Sequence, residues 1–194
     1  LAWSRGLGDV YKRQVVYKPT FQVSANDIVL GNPEACIVVI EYFSPTCPHC
    51  ADYHKAVFPR LKEQYIDTNK IAYVIREFIG SKQDLDAAIL GRCANKVDMF
   101  LKFQDVILSQ QDKWGTSYKY RELLINIGQI GGISEKNYMT CLNDNKIIEI
   151  LIANTNFAAD CTGFIGTPAF FVNGVLIQGH CFNKLSKEID KVLK

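Results

Sequence analysis

No apolar run in this 194-residue sequence reaches the roughly 18 to 20 residues that a membrane span needs. The longest runs are the short stretches at 37–40 and 169–172, so a soluble chain is expected. Charge of one sign is missing as well. The 22 Lys and Arg stand against 20 Asp and Glu, with no basic stripe and no acidic tail, which removes nucleic acid from the expected partners. Repeats and low-complexity stretches are absent, and with 48% of residues hydrophobic the chain can bury one sizeable core, as a single domain or a domain carrying an insertion. The sequence opens without a Met, and without a basic segment leading into an apolar core and a small-residue cleavage site. Residues 1–14, "LAWSRGLGDVYKRQ", resemble translated adaptor sequence and are set aside from the fold as a non-native or disordered tail. An export signal is expected to have been lost at that end.

Cysteine is plentiful. Seven residues, Cys36, Cys47, Cys50, Cys93, Cys141, Cys161 and Cys181, are many for a reducing cytosol, and their odd number leaves at least one thiol without an intramolecular partner. Two of them lie three apart in "SPTCPHC", residues 44–50. Tetrahedral zinc would need two more ligands at suitable spacing, and no second CxxC or HxxxH exists, so no metal is expected. An inert structural disulfide there would close a loop too short to constrain much of the unfolded chain. A redox pair is the favoured reading.

The organisation around the pair follows from periodicity. "DIVLGNP", 27–33, reads as an extended entry closed by a turn. "CIVVIEYF", 36–43, is a β-branched run too short for a helix and reads as a buried central strand with Cys36 as a small core residue. Tyr53, Val57, Leu61 and Tyr65 then repeat at helical spacing, with Pro59 as a kink, before a second buried strand in "KIAYVIREF" at 70–78. Strand, helix, strand predicts a right-handed crossover and a parallel pair, which puts the CxxC loop at the end of a parallel strand. Residues 82–161 carry apolar positions at three and four, predicting four to five helices, with turns at "QQDKWGTS" and "GGIS" and Ser134 as an N-cap. "IGTPAFFVNGVLIQG" reads as a hairpin turning at Asn173-Gly174. A closing helix aligns Leu185, Ile189 and Val192 or Leu193.

In this frame Cys47 falls at a helix N-cap, Pro48 at the first helical position that proline favours, and Cys50 at the third. The Cys47 sulfur then faces the free N–H groups of His49 and Cys50, which favour the thiolate. The helix dipole alone, at about 1 kcal/mol, moves a pKa by less than one unit. Direct N–H hydrogen bonds to the charged sulfur, roughly 1.5 to 3 kcal/mol each, supply more, and His49 adds a nearby donor. Whatever stabilises the thiolate makes the pair a better oxidant, by about 30 mV per 1.4 kcal/mol. Cys50, one turn in, is expected to be shielded and to act as the resolving thiol.

These residues resemble the DsbA family of thioredoxin-fold thiol:disulfide oxidoreductases, nearest to its alphaproteobacterial, Rickettsia-like members. "EYFSPTCPHC", "IGTP" before "AFFVNG" and the helical block between them carry the resemblance, which runs from about residue 26 onward. It implies an α/β chain with a thioredoxin fold split by an inserted helical domain: a thioredoxin-like part at 26–79 and 163–194, and a helical insertion at 80–162. It implies Cys47 as nucleophile, Cys50 as resolver, His49 as the thiolate-stabilising histidine, and Pro168 as a cis-proline opposite the pair, with the Thr167 backbone offered to an extended substrate. It implies no cofactor. Glu41 matches an acidic position near the second cysteine, where either a proton relay to Cys50 or an ion pair with Lys62 or Lys70 would account for it. Thr167 replaces the valine of the enterobacterial oxidase. A hydroxyl there can hydrogen-bond near the thiolate and temper its potential, which leaves isomerase or reductase activity as the alternative to oxidase. A substrate-binding chaperone without redox turnover is a more distant alternative.

The resemblance also implies a structural disulfide between Cys93 and Cys141, with two separately buried thiols as the other possibility. Cys161 and Cys181 could pair, though nothing in their spacing requires it. His54 is expected at the surface, and neither it nor His180 is given a catalytic role. The implied setting is the periplasm, with cysteine-containing exported polypeptides as clients, a membrane reoxidant of the DsbB type, and a monomeric enzyme.

Overall fold

A computed structural model describes residues 17–193 of the chain, so the 1–14 tail and its lost signal lie outside the described residues. Five strands form one sheet in the order β1-β3-β2-β4-β5. They are β1 (Ile28–Gly31), β2 (Val38–Phe43), β3 (Ala72–Glu77), β4 (Ala169–Val172) and β5 (Val175–Gln178). β2, β3 and β4 are buried along their whole length; β2 and β3 are parallel, while β1, β4 and β5 pair antiparallel. Asn173 and Gly174 turn the last hairpin with φ of 46° and 86°, the positive values that a tight two-residue hairpin demands.

Alternation along β2 sends side chains to two cores. Val39 and Phe43 face α1 (Pro48–Ala56) and the closing helix α9 (Phe182–Val192), together with Phe170, Leu185 and Ile189. Val38, Ile40 and Tyr42 face Ala158 and Phe157 of α8 (Asn145–Asp160). Cys36 does not join either core: it precedes the strand and is exposed, because the strand starts two residues later than the apolar run. On α9 only Leu185 and Ile189 are buried, and the last turn leaves Val192 and Leu193 at the surface.

The crossover between β2 and β3 is broken more than one kink requires. α1 stops at Ala56, α2 (Phe58–Leu61) carries Pro59 in its first turn, and a π-helical turn, Lys62–Ile66, follows. Pro59 has no N–H to continue the ladder of α1, so the chain restarts there. Between β3 and β4 stand α3 (Lys82–Arg92), α4 (Val97–Ser109), α5 (Gln111–Trp114), α6 (Tyr120–Ile130), α7 (Glu135–Cys141) and α8. That is six helices among the described residues. The extra one, α5, is a single turn inside the "QQDKWGTS" segment, fixed because the buried Trp114 donates its indole N–H to the Ile107 carbonyl at 2.8 Å. Ser134 caps α7 by accepting from the Asn137 N–H.

One tie closes the helical block on itself and another fastens it to the sheet. Cys93, at the end of α3, is bonded to Cys141, the last residue of α7, at 2.03 Å. Closing 48 residues, it contributes about 4 kcal/mol on the chain-entropy account. Arg92 makes a forked pair with Glu77 at 2.7 Å through each nitrogen, and Arg76 makes another with Asp27 at 2.9 Å. Arg76 also donates to the Thr20 and Gln22 carbonyls, fastening the 17–27 arm across the sheet.

Both side chains of the Arg76–Asp27 pair are fully buried, so removing one leaves an uncompensated charge. Asp27→Ala is expected to lose about 3 to 5 kcal/mol. Denaturant unfolding checks this, and a loss under about 1 kcal/mol would show that water reaches Arg76.

Candidate active site

β2 delivers the chain to Ser44, and residues 44–46 turn it into α1. Cys47 is the N-cap (φ −80°, ψ 116°), Pro48 follows in the first turn, and Cys50 is the third helical residue. Cys47 is half-buried and Cys50 is sealed from solvent. The turn closes through the Cys47 N–H to the Ser44 carbonyl at 3.1 Å and the Cys50 N–H to the Cys47 carbonyl at 3.0 Å.

The loop is held from the helical block by Asp84, a buried carboxylate in the first turn of α3. Its Oδ1 accepts from the Ser44 hydroxyl at 2.7 Å, the Thr46 N–H at 2.9 Å and the Thr46 hydroxyl at 2.8 Å. Its Oδ2 accepts from the Gly80 N–H and the Ser81 hydroxyl. Gln111 of α5 adds a bond to the Pro45 carbonyl at 2.7 Å. Sequence reading missed Asp84. The Ser81-x-x-Asp84 spacing of a helix cap was its visible signal.

Opposite the pair, Ala169 of β4 lies beside Tyr42 of β2, and this register sets Thr167 and Pro168 against the loop. The Thr167-Pro168 bond is cis, and the Thr167 carbonyl accepts from the Cys47 thiol at 3.2 Å. Gln178 braces this segment by donating to the Gly166 carbonyl at 2.6 Å.

The two thiols are driven apart in acidity. As a thiol, Cys47 points at Thr167. Ionised, it is stabilised first by the Cys50 thiol, then by the Thr167 side chain and by the backbone N–H groups of Cys50 and His49. These outweigh its partial burial and bring it down to about 5. Cys50 is pushed far up by burial and by the neighbouring Cys47 sulfur. His49 thus acts on Cys47 through its backbone N–H. Its exposed imidazole lies 3.9 Å from Asp52 and stacks on His180, with ring centroids 5.6 Å apart. His180, given no part by the sequence reading, lines an open cleft of about 370 Å³ with His49, Ile165, Gly166, Thr167 and Pro168.

Beneath the pair, Glu41 is fully buried on the β2 face turned to α1. Its Oε2 accepts from the Tyr73 hydroxyl at 2.8 Å, and Tyr73 pairs with the Tyr53 hydroxyl at 2.8 Å. Its Oε1 lies 2.8 Å from Nε2 of His54. The lysine pairing is therefore overturned: Lys62 bonds Asp67 at the surface, and Lys70 sits 5.8 Å from the Tyr65 ring centre. His54 is likewise no surface residue. It is 8% exposed, because helical spacing turns it towards β2 and α4. Cys161 and Cys181 are both free, the first bonding the Phe157 carbonyl within its own helix. Among the described residues no three His, Cys, Asp or Glu side chains are placed to hold a metal ion, and no helix is long and apolar enough to cross a membrane.

The thioredoxin family model matches residues 23–191. The chain belongs to the thioredoxin family. It is 59% identical over 178 residues to a Rickettsia bellii protein named as a protein-disulfide oxidoreductase, covering 92% of this chain and 69% of that one. It is 34% identical over 171 residues to a Bacillus anthracis protein named disulfide bond formation protein D, covering 85% of this chain and 77% of that one. The crystal structure of Wolbachia pipientis alpha-DsbA1 superposes with a TM-score of 0.79 at 32% identity, over 88% of this chain and 92% of that one. Within the family the chain is a DsbA-like thiol:disulfide oxidoreductase, with the thioredoxin fold and the inserted helices that this branch carries.

Two expected outcomes follow from the geometry. Asp84→Ala strips buried Ser44 and Thr46 donors of their acceptor at roughly 1 to 3 kcal/mol per group, so it is expected to lower the melting temperature and raise the Cys47 pKa together. An unchanged thiolate titration would show that the loop holds its shape without Asp84. Unfolded Cys47 titrates near 8.5, and folded Cys47 at about 5. The reduced protein therefore gains stability from this group as pH rises from 5 towards 8, and loses it as pH falls through 5. The oxidised protein has no thiol there. The melting-temperature difference between reduced and oxidised forms is expected to shift in favour of the reduced form from pH 4 to 8, and a flat difference would contradict the assigned acidity.

Proposed function

We propose that this enzyme oxidises thiols of exported polypeptides to disulfides, with Cys47 and Cys50 as the exchanging pair. The observation that carries this reading is the split acidity of the two thiols on one helical turn. A thiolate held at about 5 stabilises the reduced enzyme, and a stabilised reduced form makes the oxidised enzyme a strong acceptor of electrons.

A client thiolate attacks the Cys47 sulfur of the oxidised pair, forming the mixed disulfide and breaking the Cys47–Cys50 bond. The electron pair leaves on Cys50, whose sealed position favours the thiol, so it takes up a proton for which Glu41 is the partner within the core. A second client thiolate then attacks the client sulfur, closes the client disulfide and releases Cys47 as thiolate. His49 supplies its N–H to that thiolate. Pro168 and the Thr167 carbonyl offer an extended client its backbone partner beside Cys47. Reoxidation falls to a membrane partner of the DsbB type, and the periplasm supplies both clients and reoxidant.

An isomerase or reductase role is the second reading, favoured by Thr167. Its carbonyl bonds the Cys47 thiol and so favours the protonated form, against the pull of its side chain. The reduction potential separates the two directions. The oxidase reading expects a value in the range of about −180 to −120 mV, and one near about −270 mV, that of thioredoxin, would overturn it. Cys50→Ser is expected to accumulate a mixed disulfide with a client peptide supplied as its disulfide, because Cys47 attacks one client sulfur, expels the other as a thiol and finds no Cys50 to resolve it; a non-reducing gel shows the adduct, while Cys47→Ser forms none.

A further inference from the structure

We propose that His54 conducts protons between solvent and the buried Glu41–Cys50 pair, one proton in each half of the redox cycle. This rests on the assignment of Glu41 as the proton partner of Cys50, and extends it to the route by which that partner is refilled.

Glu41 is fully buried, so it cannot exchange protons with water directly. Its hydrogen-bond partners are Tyr73 and His54. Tyr73 leads only to Tyr53, and burial beside Glu41 pushes both phenols far up, which makes that branch a dead end. His54 leads outward. It forms part of the wall of an open cavity of about 470 Å³ between α1, α4 and α5, whose rim carries Asp52, Lys55, Asp105 and Asp112. A carboxylate-rich mouth beside a half-neutral wall favours the arrival of protons.

The ring nitrogen at the centre of the route has a partner in both protonation states. Nε2 lies 2.8 Å from Glu41 Oε1 and 3.1 Å from the side-chain Nε2 of Gln104, which is buried on α4. One nitrogen cannot donate and accept in a single state. Protonated, it donates to Glu41. Bare, it accepts from the Gln104 amide. In this orientation the Gln104 Oε1 has no partner among the described residues, and rotating the amide would offer that oxygen to a protonated Nε2. Around the ring, Phe43, Tyr53 and Phe58 pack with centroids 5.0 to 6.1 Å away, fixing its plane. The titratable groups facing it are Glu41 on β2, Asp105 on α4, Asp112 on α5, and Asp52 and Lys55 on its own helix. A charge on His54 draws down the Asp105 carboxyl, which partial burial raises.

The proton balance is closed. Client attack breaks the Cys47–Cys50 bond and leaves the electron pair on Cys50. Cys50 takes the Glu41 proton, Glu41 takes the Nε2 proton of His54, and His54 regains one at Nδ1 from the cavity. On reoxidation the Cys50 proton leaves by the same path. His54 touches neither cysteine, so it is a positioning and relay residue for Glu41.

The test is the rate at which reduced glutathione opens the oxidised pair, followed by rapid acid quench from pH 5 to 8 in the full chain. That rate depends on protonation of Cys50 whether the enzyme proves to be oxidase or isomerase, so its outcome is separate from that of the reduction potential. His54→Gln keeps a hydrogen bond to Glu41 but cannot shuttle. It is expected to slow opening by at least about tenfold at pH 7 and to shrink the solvent deuterium isotope effect, while the Cys47 thiolate still titrates near 5. His54→Ala opens a hole onto the cavity, and added imidazole is expected to restore most of the lost rate. Wild-type rate and profile in His54→Gln would overturn the proposal. So would slow opening in His54→Ala that imidazole does not restore. Should His54→Gln melt too low to assay, rescue of His54→Ala decides alone.

Discussion

Three hydrogen bonds to one oxygen of a single buried carboxylate hold the reactive turn in place. Asp84 binds the Ser44 and Thr46 side of the turn through one oxygen and caps its own helix through the other, so the start of α3 and the start of α1 are locked together. An inserted helical block could have drifted relative to the sheet. With Asp84 buried between them, the block instead becomes part of the mechanism that aims Cys47. The fine geometry on which the thiolate depends, a sulfur at a helix tip facing two N–H groups, is only as good as the turn that presents it.

The strand beneath that turn has two jobs on its two faces. Towards α1 it carries Glu41 into the core below Cys50. Towards α8 it carries Tyr42, whose hydroxyl accepts from the buried Arg76 at 3.3 Å. Both faces therefore bury charge, yet they solve the cost differently. Arg76 meets a forked carboxylate and two backbone carbonyls, a closed arrangement with nothing left to move. Glu41 meets, besides Tyr73, a histidine whose ring nitrogen has a partner whether or not it carries a proton, which is an open arrangement. Rigidity is placed where the arm is fastened, and protonic freedom where the chemistry occurs.

The parts of this molecule that could be read from sequence are those set by neighbours along the chain. The N-cap at Cys47, the proline behind it, the Asn173-Gly174 turn, the cap at Ser134 and the apolar runs of the buried strands β2 and β3 are all local, and each stands in the structure. Partners brought from a distance were not legible. Glu41 showed as a costly charge on an apolar strand, but whether a lysine or a histidine answered it depended on the rotation of α1. His54 looked like surface because it is polar, yet it stands one turn after the buried Cys50 and shares that face, against β2 and α4. Cys36 looked like core because apolar composition does not mark where a strand begins. His180 is brought to His49 by the sharp exit from β5, which a hairpin pattern does not fix.

The cleft beside Cys47 is walled by an isoleucine, two glycines, a threonine, a cis-proline, a glutamine and two histidines, with no lysine, arginine or carboxylate among them. Its fixed feature is a main-chain carbonyl. In the client-binding role proposed for it, a cleft of that kind reads conformation rather than composition: any polypeptide can answer it while its backbone is still extended, and none can once that backbone has paired within its own sheet or helix. Discrimination among clients then falls on when a cysteine arrives, not on what surrounds it, and folding itself withdraws the finished product.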